Sequence, residues 1–380
     1  AAATVSQVRI KNGSVHFVRR GKDPLDLHVD DMDFVVRPAG ETYTAEGSAR
    51  LSPGTLRLKV AQGSVTLPPG RALGDAPLRA TVEVSGSDVG ALARGFLAAP
   101  ALRGPVQGQL RVTGTVSQPA AQGELTFSSL TVSDRPPQCP PPPERQLQLA
   151  QVRAPIGFTL ARLDLTPVTA RVAGGTVSAR VGMALAGAGR TVTVKEIAVK
   201  GMELGPLLVD YLCQGYAVTG PLDLAGDATL GVGDPLRTLG GAGRLHIGRG
   251  RVVGPAALAL VRDVVAVAGL VAPLIEGRPA AVGPPSKPLN FSSITATYRI
   301  TNGVVATDDL VYQGEGLIGN VAGTYGLADG RVDAAVTLTQ GRTQVKARIT
   351  GAGQAVRVIP TGVTQGGKDA VKQLLDQLLR

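Results

Sequence analysis

An all-β fold is predicted for this chain, a long curled antiparallel meander forming an open apolar groove like a taco shell, and three observations predict it. Aliphatic and polar residues alternate with period two from end to end, as in Leu56-Arg57-Leu58-Lys59-Val60, Leu110-Arg111-Val112 and Val332-Asp333-Ala334-Ala335-Val336-Thr337-Leu338. That alternation belongs to strands with one dry and one wet face. Fifty glycines and 27 prolines among 380 residues interrupt the chain too often for a helical bundle. The turns between alternating segments are short and Gly-rich, so successive strands run antiparallel without helical crossovers. Roughly twenty strands at ~4.8 Å spacing would stack to about 100 Å, and open sheets beyond ~10 strands curl, split or close.

The strands are punctuated by recognisable turn chemistry. Arg9-Ile10-Lys11-Asn12-Gly13-Ser14-Val15 is echoed by Arg299-Ile300-Thr301-Asn302-Gly303-Val304-Val305, and in both the Asn-Gly pair predicts a type I′ hairpin turn, whose two central residues need positive φ. Val177-Ser178-Ala179-Arg180-Val181 and Val345-Lys346-Ala347-Arg348-Ile349 read as further strands. Three segments read as helices. The first, Leu204 to Leu212, has Pro206 suited to a first turn. Pro255 to Ile275 is apolar nearly all round, which suits a buried or lipid-facing helix. Lys368 to Arg380 sets Val371, Leu374, Leu375 and Leu378 opposite Lys372, Gln373, Asp376 and Gln377, an amphipathic pattern.

The proline run Arg135 to Pro143 lacks the donors that a sheet interior needs and is the best candidate boundary. The expected organisation is therefore a β-groove segment over 1–135, a Pro-rich loop at 136–143, a second β-groove segment over 144–367 with an internal helix at 255–275, and a terminal helix over 368–380. The longest nearly apolar run, Val264 to Ile275, is shorter than the ~18 residues that span a bilayer. Ala1-Ala2-Ala3-Thr4-Val5 has no initiator Met, so an excised or processed piece is expected, with any membrane anchor removed along with the missing segment.

Composition narrows the function. Charged residues are 18% of the chain and the mean hydropathy is +0.14, which excludes a disordered polyelectrolyte. The net charge of +10 raises nucleic acid, but the arginines are scattered singly and aromatics are only 3%, too few to stack on bases. No nucleic-acid partner is expected. Cys139 and Cys213 show no metal spacing; reduced thiols are the default expectation and a disulfide the alternative.

Motifs for chemistry fail on inspection. Gly314-Glu315-Gly316-Leu317-Ile318-Gly319 matches a dinucleotide fingerprint, but Leu317, Val321 and Tyr325 continue at strand spacing where a helix must follow. Gly362 to Asp369 nearly matches a P-loop, with Asp369 where the magnesium-ligating hydroxyl belongs. His28-Val29-Asp30-Asp31-Met32-Asp33 reads as a strand with an acidic side rather than a metal site. Asn12-Gly13-Ser14 and Asn290-Phe291-Ser292, formally glycosylation sequons, read as a turn and a strand edge. An enzyme would need a hidden carboxylate pair such as Asp308 with Glu315. No cofactor, metal or catalytic residue is expected.

What remains is an aliphatic face needing a cover. A closed, self-packed sandwich acting as a scaffold would cover it with itself; an open gutter would bind acyl chains. A floor of small aliphatics has no position that holds a ligand much tighter than its neighbour, and the ~0.8 kcal/mol per methylene lost in water sums to about 10 kcal/mol for a 16-carbon chain. Candidate lining residues are Val177, Val181, Leu222, Leu224, Leu245, Ile247, Ile294, Tyr298, Val321, Tyr325, Val332 and Val336. Leu258, Val264, Val271, Val371, Leu374, Leu375 and Leu378 are candidates for capping the groove ends or touching a membrane.

From Gly220 to Leu338 the chain resembles the AsmA-like family of bacterial envelope proteins, related to the TamB and bridge-like lipid-transfer groups. The resemblance is carried by Gly220-Pro221-Leu222-Asp223-Leu224-Ala225-Gly226, Leu239-Gly240-Gly241-Ala242-Gly243-Arg244-Leu245-His246-Ile247-Gly248-Arg249-Gly250, the helical stretch after Val253-Gly254, and Phe291-Ser292-Ser293-Ile294 leading into Ile300-Thr301-Asn302-Gly303-Val304. It implies a periplasmic protein anchored to the inner membrane, with phospholipid or polyisoprenoid in its groove and an envelope protein as a further partner. It implies no catalytic residues.

Overall fold

The structure is a computed structural model that describes residues 6–19, 25–52, 54–67, 69–70, 72–90, 101–136, 139–185, 191–214, 217–254, 289–314, 317–340, 343–352 and 356–364. The described strands are antiparallel to their neighbours wherever they pair, and they divide between two compact units. Unit 1 comprises residues 1–135, 142–172 and 178–190; unit 2 comprises 136–141, 173–177 and 191–380.

Unit 1 contains Val8–Arg19 (β1), Leu25–Ala39 (β2), Thr42–Ser52 (β3), Leu56–Thr66 (β4), Leu78–Gly86 (β5), Ala101–Arg103 (β6), Val106–Gly114 (β7), Pro119–Asp134 (β8), Arg145–Thr159 (β9) and Arg162–Val172 (β10). Consecutive strands pair, with two local departures: β5 passes over β6 to pair with β7, and β6 pairs with the far end of β8. The next strand, Gly175–Ala184 (β11), is shared between the two residue sets.

Unit 2 continues with Thr191–Glu203 (β12), Pro221–Gly231 (β13), Gly240–Ile247 (β14), Gly250–Val252 (β15), Leu289–Thr301 (β16), Val304–Gly314 (β17), Ile318–Gly326 (β18), Arg331–Gln340 (β19), Thr343–Ala352 (β20) and Arg357–Thr364 (β21). Here too the path is a meander, with β14 and β15 both pairing with β16. Among the described residues β1 pairs only with β2, and β21 only with β20. Among the described residues each unit thus ends on a strand paired along one side only.

Alternation in the sequence becomes alternation in burial. In β20 the residues Val345, Ala347 and Ile349 are buried and Gln344, Lys346 and Arg348 are exposed. The densest described packing in unit 1 is around Leu56, Val84 and Val106, against Leu51, Leu58, Val82, Leu110, Leu125 and Phe127. These side chains come from β3, β4, β5, β7 and β8, strands adjacent within one sheet, so the cluster is neighbour packing across a face.

Turns and bulges follow their chemistry, with one correction. Asn302 and Gly303, at φ 50° and 74°, form the two-residue hairpin between β16 and β17, with Thr301 paired to Val304. The earlier Asn-Gly pair makes no hairpin. Asn12 (φ 53°) lies inside β1, where the register with β2 jumps between Ile10 and Gly13. The same tolerance of positive φ serves a β-bulge there, and the Asn12 N–H donates to the Asp33 carboxylate at 3.2 Å. The formal sequon at residues 12–14 is therefore strand, not turn.

The helical expectation at Leu204 to Leu212 is met by one wide turn, Gly205–Tyr211, closed by the Leu212 N–H on the Leu207 carbonyl, with Pro206 in its first turn. A second short helix, Pro235–Thr238, is capped by the Asp234 carboxylate accepting the Arg237 N–H. The expected helices at 255–275 and 368–380, with Leu258, Val264, Val271, Val371, Leu374, Leu375 and Leu378, lie outside the described residues.

The proline run is the tip of a hairpin, since Asp134 and Arg145 at its base are paired and the β8–β9 ladder runs back from them to Ala120 and Thr159. By internal contacts residues 136–141 of that run group with unit 2, and the other changes between the units fall between residues 172 and 191. Nor are the cysteines reduced: Cys139 and Cys213 form a disulfide with Cα atoms 5.3 Å apart. They stand 74 residues apart in sequence, and only the folded chain brings them together.

Candidate functional site

Directly opposed residues in an antiparallel pair share a face, so the register fixes which candidates lie together. In unit 2 one row runs Met202, Leu222, Ile247, Ile294, Tyr312, Gly319, Leu338, Val345 and the Val363 position, crossing nine strands without a break. A second row runs Val199, Leu224, Leu245 and Ala296 on the earlier strands, and Leu310, Val321, Val336 and Ala347 on the later ones. A third joins Gly226, Gly243 and Tyr298, and a fourth Ile300, Val305, Tyr325 and Val332.

Ten of the twelve sequence-selected lining residues fall in these rows, on one face. The other two, Val177 and Val181, flank buried Ala179 on one face of β11. The opposite face of unit 2 carries exposed Asp223, Arg244, Thr295, Arg299, Asn320, Asp333, Lys346 and Arg348. The Arg348 guanidinium grips the Asp333 carboxylate with two bonds of 2.9 and 2.8 Å, which holds that carboxyl below its ordinary range.

Alternation alone would not have kept these aliphatics together. In β12 the apolar residues are Val192 and Val194, then Ile197 and Val199, then Met202, so parity changes twice. Each change coincides with a bulge, at Glu196 (φ 52°) and Gly201 (φ 60°). Each bulge inserts one residue and returns the next aliphatic to the same face. The bulged amides are not left orphaned, because Glu196 N–H donates to Asp227 and Gly201 N–H to Asp223, both at 2.8 Å. Asp309 plays the same part for Thr297, accepting its amide and its hydroxyl at 2.8 Å each. Those bonds, the backbone one foremost, lower the Asp309 pKa.

Tyr298 is the polar exception on the apolar face. A Cβ built on Gly243 would come within 2.5 Å of its hydroxyl and one on Gly226 within 2.9 Å, so the phenol lies across two glycines that make room for it. Burial first, then the Asp227 carboxylate, pushes its pKa up, and the phenol stays neutral.

Sequence reasoning chose almost nothing from unit 1, yet the same arrangement recurs there. Ile10, Phe34, Gly47, Val60, Val82, Leu110, Gly123, Ile156 and Leu165 make one nine-strand row. The signal was present in the alternation of β4 and β7; what was missing was the register that aligns them.

These apolar rows are only partly covered. Most of their members are half-buried, and Ile10 and Tyr325 are 39% and 36% exposed. Among the described residues no three metal-binding side chains gather. The GxGxxG match joins β17 to β18 as a hairpin, with Gln313 paired to Ile318, and no helix follows it. Asp308 is exposed, and its suggested partner Glu315 lies outside the described residues. Comparison with protein-family models, curated proteins and solved structures finds no match for this chain.

Proposed function

We propose that the chain is a non-enzymatic lipid-binding and lipid-transfer protein of the bacterial cell envelope, holding acyl chains along its aliphatic β-face between the inner and outer membranes. The observation that carries this reading is the nine-strand apolar row in each unit, free of charged side chains, half-buried along nearly all of its length in unit 1 and at Ile294, Tyr312 and Leu338 in unit 2. Eight strand spacings of ~4.8 Å make each row about 40 Å long. An acyl chain laid along it recovers the ~0.8 kcal/mol per methylene that water would cost, at every position alike. Uniform attraction lets a chain slide.

The disulfide supports an extracytoplasmic site, since such bonds persist in oxidising compartments, and the periplasm is the compartment that the family resemblance implies. An inner-membrane anchor and an envelope protein partner belong to the same reading.

The test is mass spectrometry of organic extracts from protein purified without detergent, with two variants alongside. Val321→Asp places a charge on the apolar face at a half-buried position, and Asn320→Asp places one on the opposite face. The expected result is phospholipid or polyisoprenoid at one or more per chain in the wild type and in Asn320→Asp, with severalfold loss in Val321→Asp at unchanged far-ultraviolet circular dichroism. A clean wild-type extract, with no uptake of a fluorescent acyl probe, would favour a self-packed scaffold acting through protein contacts.

A further inference from the structure

The wet face of unit 1 carries a feature that lipid binding does not use. Near one end of β2, β3, β4, β5 and β7 lies an open trough of about 860 Å³, within the size range of small-ligand sites. Its walls are the polar-face residues of five neighbouring strands. One transverse row reads Arg37, Thr44, Ser64 and Arg79, each paired with the next. The row beside it reads Gln62, Thr81 and Arg111. Between them lie lining residues of the opposite parity, Ala45, Gly63 and Ala80 with the larger Leu78 and Val112.

The charges in this trough are unbalanced. Arg37 is neutralised by Glu46 at 2.6 Å. Arg79 and Arg111 are exposed and have no carboxylate within ion-pair distance among the described residues. Arg111 sits opposite Thr81, two residues along from Arg79, which makes the two arginines diagonal neighbours roughly 7–8 Å apart at the backbone, within reach of one another's long side chains. Two guanidinium forks that can only donate, flanked by hydroxyls of Ser64, Thr81 and Thr113 that can donate as well, leave a net positive charge once Glu46 is paired with Arg37, which suits an anion and not a cation. Arginine matches phosphate oxygens bidentately.

We propose that this trough is a binding site for a phosphate ester, with Arg79 and Arg111 clamping the phosphoryl oxygens and Ser64, Thr81 and Thr113 donating to the remainder. The volume exceeds what a bare phosphate fills, so the group bonded through the ester oxygen occupies the rest. That group meets a mixed lining, with Gln62, Thr44 and the Arg37–Glu46 pair on the polar side and Leu78, Ala80 and Val112 beside them. Arg79, Arg111, Ser64, Thr81 and Thr113 stand at the parity opposite the apolar rows, so the clamp uses side chains that acyl binding does not.

The test is titration calorimetry of the full chain with glycerol 3-phosphate, together with co-sedimentation with phosphatidylglycerol vesicles, on the wild type, Arg79→Gln, Arg111→Gln and the control Arg57→Gln. Arg57 is exposed on the same polar face and outside the trough, and all three substitutions remove one charge. Saturable glycerol 3-phosphate binding, weakened tenfold or more by Arg79→Gln and by Arg111→Gln but less than twofold by Arg57→Gln, supports a free phosphate ester as ligand. Vesicle binding with the same dependence, and none to the free ester, supports the same site reading a phospholipid headgroup. No binding to either probe, or equal weakening by all three substitutions, overturns the proposal.

Discussion

At the scale of the residue, the polar face contributes order through a few carboxylates placed beside irregular backbone. Asp309 accepts the Thr297 amide where the β16–β17 register shifts, and its pKa is lowered for that reason. A carboxyl whose folded pKa lies below its unfolded value stabilises the fold above the unfolded pKa and loses that contribution as pH falls through the folded one. Asp309→Ala should therefore lower the thermal midpoint by a few degrees at pH 7 and by progressively less as the pH falls below about 4, the ordinary carboxyl range. Equal destabilisation at pH 7 and pH 2, in melts followed by circular dichroism, would place the effect elsewhere. On the apolar face the exacting residue is Gly243, whose missing side chain is the space that Tyr298 fills. Gly243→Ala should destabilise unit 2 by about 1–3 kcal/mol, the usual cost of overpacking, as read from denaturant midpoints. A neutral result would mean that the phenol swings away freely.

At the scale of the element, turns and bulges decide how a period-two sequence becomes one continuous face. Gly303 stands at φ 74° in the β16–β17 turn, a conformation costing an L-residue about 1–2 kcal/mol. Gly303→Ala should lose more than that, because a Cβ there would also run into the Leu236 backbone carbonyl, while the same change at Gly13, which has no positive φ, meets the Ile10 and Met32 side chains at 2.9 and 3.3 Å. The contrast shows what the sequence could and could not reveal. Both Asn-Gly pairs have the same local chemistry, and only the pairing of β1 with β2 distinguishes a bulge from a hairpin. Strand identity was legible from Leu56 to Val60 and from Val332 to Leu338 because alternation is a local property. The placement of Val199 beside Leu224 was not, because two bulges in β12 shift parity in a way that alternation alone does not record. The Cys139–Cys213 bond was illegible for the same reason, since it depends on where a hairpin tip arrives.

At the scale of the whole molecule, the quantity to explain is surface. Unfolding exposes apolar area in proportion to what folding hid, and the heat-capacity change follows that area. A compact protein of 380 residues would unfold with a total change of about 5 kcal/mol per kelvin. Apolar rows that stay partly exposed in the folded units leave less to expose, so calorimetry of the delipidated protein should give a total below that figure. An acyl ligand that covers the apolar rows should act in two ways. It should raise the heat-capacity change by the area it shields. It should also raise the midpoint as any ligand of the folded state does, by about 2.7 kcal/mol of stability at a hundredfold excess over its dissociation constant. Glycerol 3-phosphate, bound on the opposite face by two arginines, should raise the midpoint without moving the heat-capacity change, since it hides almost no apolar surface. A delipidated chain with the full compact value, and a midpoint indifferent to acyl ligand, would mean that the aliphatic rows are already covered within the protein itself, and the face would then be core rather than conduit.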